Sequence, residues 1–166
     1  MSPVELGQLQ DVVSDLLREP AFAEASRALH AELGRSREPF VWATIDLATI
    51  ARPLPPAIRS GWIFALRAGV PSGEHFHPNS TQHIVVISGR GEARVGGVRG
   101  RMEPCGAGAR APRSWFVIPP RVPHEFVPEG EDVLVVSFHT CAAEELEEVS
   151  CATGASRMYE GPQHAR

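Results

Sequence analysis

The sequence predicts a mainly β protein, a sandwich or barrel of short strands preceded by two helices. Fifteen glycines and fifteen prolines are more than a helical bundle tolerates, and they fall mostly in clusters between apolar runs. From Pro39 onward those runs are short and rich in β-branched and aromatic residues, whereas before Pro39 apolar residues recur at helical spacing.

With 166 residues, 43% of them hydrophobic and 22% charged, the chain suits one domain with short appendages. Its expected organisation is a helical segment over 1–38, a β unit over 39–140 and a C-terminal helix or tail over 141–166. Ser2-Pro3-Val4-Glu5 has the form of a capping box with proline at the first helical position. Leu6, Leu9, Val13, Leu16 and Leu17 then mark the apolar stripe of a first helix. Pro20 opens a second, carrying Phe22, Ala25, Leu29 and Leu33 and ending at Gly34. Both are expected to pack on the outside of the β unit.

Strands are predicted at 40–45, 61–68, 83–88, 92–95, 115–118, 124–127 and 133–139, each bounded by Gly, Pro or charged clusters. Gly96-Gly97 reads as a tight hairpin turn, and Pro53-Leu54-Pro55-Pro56 as a stiff loop. Residues 142–149 suggest a short acidic helix. The remainder, from Ala152 to Arg166, has too little apolar content to fold stably by itself.

A formal charge of −4 with no long stripe of either sign argues against nucleic acid or an anionic membrane as partner and favours a small molecule. Met1 to Gly7 lacks the basic and apolar segments of a secretion signal, and no run approaches the roughly 18 apolar residues of a membrane span, so a cytoplasmic protein is expected. Cys105, Cys141 and Cys151 are odd in number and lack Cys-x-x-Cys spacing, which indicates free thiols rather than a disulfide framework or a thiolate zinc site.

Chemistry concentrates in two places. His75 and His77 are two apart, so in a strand both imidazoles face one side at a distance that one metal ion bridges, while Phe76 turns into packing. Gln82 follows after a Pro-Asn-Ser-Thr turn and opens the next strand, where it shares a face with Ile84 and Val86 and can return its carbonyl oxygen to the same ion. His124 is delivered at the start of a later strand by the rigid turn Pro119-Pro120-Arg121-Val122-Pro123. Imidazole suits Fe, Mn, Co, Ni, Cu and Zn alike, so the cofactor expected is one divalent ion of that group.

The first of these places resembles the first motif of the cupin superfamily, G-x5-H-x-H-x3,4-E-x6-G, read here as Gly69, His75, His77, Gln82 in the glutamate position and Gly89. The second motif, G-x5-P-x-G-x2-H-x3-N, is matched at Pro119 and His124, with Arg121 and Arg113 in place of its glycines and Pro128 in place of its asparagine. The resemblance spans about residues 40–140. It implies a double-stranded β-helix, the jelly-roll barrel of cupins, that holds one metal at its mouth through His75, His77, Gln82 and His124 and assembles as a homodimer. The activities it implies range from dioxygenases, isomerases, epimerases, lyases and decarboxylases to non-catalytic storage or sensing proteins. Fold does not select among them.

The neutral amide of Gln82 leaves the site one unit more positive than a three-His, one-Glu set. Metal affinity should fall, an anionic substrate should bind better, and bound water should be more acidic. Gln82 cannot act as a general base, so Glu74 or a metal-bound hydroxide would take that role. The leading expectation is a metal-dependent enzyme of dioxygenase type, then an isomerase, lyase or cyclase. The alternative is a non-catalytic cupin that binds a metal or small ligand as a sensor or accessory protein. Arg67 is a candidate clamp for a substrate carboxylate. Trp62, Phe64, Phe126 and His139 are candidates to line the pocket, whereas His83 points away from Gln82 toward the outer face.

Overall fold

The computed structural model describes residues 2–105 and 115–159. Eleven strands form two antiparallel sheets among these residues. The first sheet has the order β1 (Phe40–Ile45), β2 (Ser60–Leu66), β9 (Val133–His139), β4 (Gln82–Ser88), β7 (Trp115–Ile118). The second runs β11 (Ser156–Met158), β10 (Glu147–Ser150), β3 (His75–Phe76), β8 (His124–Pro128), β5 (Gly91–Val95), β6 (Val98–Met102). This is the jelly-roll architecture expected.

The first sheet is buried on both faces, which explains why β2 and β9 read as nearly unbroken apolar runs. Its inner face carries Trp62, Phe64, Leu66, Ile84, Val86, Val133 and Val135, which join Ala93, Met102 and Phe126 of the second sheet in the barrel core. The outer face carries Ile63, Ala65, Val85, Leu134, Val136 and Phe138, and there the helices pack. In α1 (Pro3–Leu16) both halves of the Ser2–Glu5 capping box are formed, and Leu6, Leu9, Val12 and Val13 are buried. Leu17, expected in that stripe, is the helix C-cap and is exposed. In α2 (Pro20–Arg35) Phe22, Leu29 and Leu33 are buried against β1 and β2. His83 lies on the same helix-covered face, buried. No helix among the described residues is long and apolar enough to cross a membrane.

The turns follow the sequence closely. Gly96 and Gly97 both adopt positive φ, 55° and 81°, as the hairpin between β5 and β6 requires. Gly89, at the end of the first motif, has φ 82°, and a Cβ there would clash with the carbonyl oxygen of Asp132. Arg113, the leading position of the second motif, lies outside the described residues, as do residues 160–166.

Two expectations need correction. Residues 142–149 do not form a helix: a single 3-10 turn at Ala143–Glu145 leads into β10, and β11 follows within the stretch that seemed unable to fold. Glutamates favour a helix locally, but Leu146 and Glu148 alternate inward and the segment gains ladder partners on β3, which outweighs local propensity. Arg67 is not a substrate clamp. Its guanidinium donates to the backbone carbonyls of Leu33 (2.6 Å), Ser36 (2.7 Å) and Glu38 (3.0 Å), so it satisfies the end of α2 and its connection to β1.

Among the described residues Arg121 is the one non-glycine at positive φ, 64°, in the position where the second cupin motif has glycine. Left-handed backbone costs a side-chain-bearing residue roughly 1–2 kcal/mol, of which the greater freedom of an unfolded glycine returns part. Arg121→Gly is therefore expected to stabilise the protein by up to about 1 kcal/mol, read as a higher midpoint in urea unfolding. A lower midpoint would mean that the arginine side chain holds the turn.

Candidate metal centre

Strand pairing brings the histidines together. In the register of β3 with β8, His75 lies directly opposite His124, and their ring centroids are 4.3 Å apart. His77 follows just beyond β3 on the same side, 5.3 Å from each of the other two rings. All three are buried, and one ligand atom from each lies within 4.8 Å of the others.

The hydrogen bonds of the rings select which nitrogen is free. Nδ1 of His75 meets the carbonyl of Gly73 at 2.8 Å, that of His77 meets Glu147 at 2.8 Å, and that of His124 meets Val122 at 3.0 Å. A carbonyl only accepts, so each Nδ1 carries the proton and each Nε2 keeps its lone pair. The same arrangement orients histidines that ligate metals.

Gln82 comes from the other sheet. Its Nε2 donates to Ser137 Oγ at 3.2 Å, and Ser137 in turn reaches Nε2 of His139 at 3.0 Å. Nδ1 of His139 meets Ser80 Oγ at 3.2 Å. The amide can only donate at nitrogen, so Ser137 spends its single proton on His139, whose Nδ1–H then faces Ser80. That chain turns Oε1 of Gln82 away from Ser137. Oε1 of Gln82 and Nε2 of His124 are both buried without a hydrogen-bond partner. Two such acceptors would each cost about 1–3 kcal/mol if left unmet, and a cation is the partner that meets both. The residues present therefore fit a metal ion.

Burial, and next the neighbouring His75, push the pKa of His77 down to about 4. Burial likewise holds His124 and His139 well below the ordinary imidazole value, with His75 and His77 adding to it at His124, and His77 and His124 at His139. The rings of His77 and His124 are thus neutral and ready to ligate at pH 7.

The cavity beside the histidines measures about 20 Å³. Phe64 and Phe126 line it with Phe40, Leu66 and Tyr159, as expected for the first two. Trp62 does not reach it: fully buried, it donates to Ser60 Oγ at 3.3 Å and packs on Tyr159. His139 has no exposure and acts one layer behind Gln82 rather than on the pocket wall. Glu74 is exposed outside, in a groove that His75 also borders.

The carboxylate that does enter the site is Glu148 of β10, which the sequence reading missed. Its Oε2 lies 3.6 Å from Nε2 of His75 and accepts a short hydrogen bond from the Tyr159 hydroxyl, while Oε1 pairs with Arg157 at 2.8 Å. Burial and the Glu148 charge hold the Tyr159 phenol well above its ordinary pKa, so it stays a donor. Arg157 lies over the rings of Phe40, Tyr159 and Trp42 at 5.1, 5.2 and 5.8 Å. The available sequence signal was the inward alternation of Leu146 and Glu148, together with the single tyrosine of the chain.

Two outcomes follow from the neutral rings and the Gln82 chain. Between pH 6.5 and about 4 the unfolded chain takes up protons that folded His77 refuses, so the metal-free protein should lose several kcal/mol as pH falls through that window. A Tm that stays level from pH 7 to 4.5 would contradict it. Ser137→Ala should free the Gln82 amide to rotate and weaken metal binding about tenfold, measured by chelator competition. Unchanged affinity would show that Gln82 is held by other means.

No family model matches the sequence, and no curated protein sequence matches it. Solved structures do match the fold. A salicylate 1,2-dioxygenase from Pseudaminobacter salicylatoxidans aligns over 70% of this chain and 33% of its own, with 17% identity and a TM-score of 0.53. Procruciferin, an 11S globulin from Brassica napus, aligns over 69% of this chain and 28% of its own, with 13% identity and a TM-score of 0.51. The Schizosaccharomyces pombe Cnp3 cupin domain aligns over 62% of this chain and 65% of its own, with 13% identity and a TM-score of 0.45. The chain thus spans only about a third or less of the first two solved chains. Their shared architecture, with the paired sheets described above, gives this chain the cupin fold.

Proposed function

We propose that the protein binds one divalent metal ion through Nε2 of His75, His77 and His124 and Oε1 of Gln82, and that it is a mononuclear metal-dependent enzyme acting on a small anionic molecule. The observation that carries this reading is the coincidence of three imidazoles with Nδ1 tied to backbone carbonyls and an amide oxygen buried without a partner. When bound, the ion would supply open positions at which a chelating substrate and a second reactant can meet.

This chain's own residues do the rest. Ser137 and His139 fix the amide of Gln82, and the backbone carbonyls of Gly73, Glu147 and Val122 fix the imidazoles. Phe64, Leu66, Ile84 and Phe126 give the pocket an apolar wall that keeps water from the reacting atoms. A neutral ligand set favours an anion in the open positions, and an aromatic wall favours a planar or unsaturated one. Oxygen-dependent cleavage is the leading chemistry on these grounds, and it is the class named for one of the matched structures.

Protein purified without added metal should carry a divalent ion near one per chain by elemental analysis, and His77→Ala should lose most of it. Oxygen uptake across a panel of catechols, diketones and thiols should then find a substrate whose turnover His75→Ala abolishes. Metal-free protein with His77→Ala indistinguishable from the parent would end the metal reading. Stoichiometric metal with no uptake on any substrate would instead favour the non-catalytic binding protein.

A further inference from the structure

The ligand set just proposed is neutral, so a divalent cation would bring two uncompensated charges into a buried pocket, an arrangement that is costly without an anion close by. The first sheet offers none: the position on β4 that faces the histidines is Gln82. An anion is present on the other side. Glu148 is 8% exposed, and its Oε2 stands 3.6 Å from Nε2 of His75, the atom that the Gly73 carbonyl leaves free to ligate. Two atoms bound to one cation at about 2.1 Å lie roughly 3.0–3.4 Å apart, so this carboxylate borders the coordination sphere on the His75 side.

Its placement is built rather than incidental. β10 pairs with β3 so that Ser150 faces His75 and Val149 faces Phe76, which brings Glu148 alongside His77 in the same register. On the other side Glu148 is paired with Arg157 across β10 and β11. The two carboxylate oxygens are used differently. Oε1 takes the Arg157 guanidinium, which is 43% exposed and held over three aromatic rings, whereas Oε2 takes the buried Tyr159 hydroxyl and faces His75. Arg157 is the more solvated partner and stands behind the carboxylate, so it offsets less of the charge felt at the histidines.

We propose that Glu148 is the anionic partner of the metal centre, and that β10 thereby returns to the site the negative charge that Gln82 does not provide. Tyr159 and Arg157 are positioning residues that aim it. The inference rests on the metal reading above. Among the described residues the set that converges on one point is His75, His77 and His124, so Glu148 adjoins the cation from the flank of His75 rather than closing the ring.

The test is a Co(II) titration of the full chain, stripped of metal, with affinity read by chelator competition and fold checked by far-UV circular dichroism. Glu148→Gln should bind Co(II) at least tenfold more weakly than the parent. Adding Gln82→Glu to that variant should restore affinity to within about threefold, because charge returns from the opposite sheet. In the parent, where Glu148 already supplies that charge, Gln82→Glu should tighten binding by less than about threefold, so an equal gain in both backgrounds would mark lost packing and overturn the role of Glu148. Should Glu148→Gln not fold, Glu148→Asp keeps the charge but withdraws it by one methylene, and the same weakening and the same rescue are expected. Parent-like affinity in either variant, or no rescue, overturns the role of Glu148 while leaving the metal centre standing. A parent protein that binds no Co(II) overturns both.

Discussion

Three backbone carbonyls decide the chemistry of this barrel. Each accepts from Nδ1 of one histidine, and in doing so fixes both the tautomer and the direction in which the remaining nitrogen points. Two of those carbonyls belong to residues close in sequence to the ring they hold, Gly73 for His75 and Val122 for His124. The third, Glu147, comes from β10. The site is therefore part local turn chemistry and part long-range strand pairing, and its hydrogen bonds are complete only when β10 has joined β3 and β8.

The two faces of the first sheet divide the work. Outward residues of β2, β4 and β9 pack beneath the helices, while inward residues grade from Leu66, Val86 and Val133 at one end to Gln82, Ser137 and His139 at the other. In the register of β4 with β9, Gln82 lies opposite His139, so the polar layer is contiguous. A buried polar layer is tolerable only when every member finds a partner. Here Ser80, Ser137 and His139 satisfy one another, and the acceptors left over face the pocket.

Much of this was legible in the sequence. Alternation of side chains along a strand placed His75 with His77, Gln82 with Ile84, and His83 on the opposite face, because a period of two leaves little freedom. Gly96-Gly97 and the Ser2–Glu5 cap are local rules obeyed locally. What escaped was whatever depends on partners distant in the chain. Arg67 has the chemistry of a carboxylate clamp, and only the location of the end of α2 reveals that carbonyls claim it. Trp62 and His139 lie on the inward face as the pattern requires, but depth along the barrel, which no periodicity encodes, puts both behind the pocket. The segment 147–159 was misread because its glutamates and polar residues are uninformative until β3 is there to pair with them.

Residues 147–159 also stand last among those described, after the strands that carry the histidines and Gln82. During synthesis the imidazoles must emerge and pair while the flank later covered by Glu148 and Tyr159 is still missing. An ion bound as proposed would then meet a half-open cup before the final hairpin closed over it, so the order of the chain would let loading precede sealing.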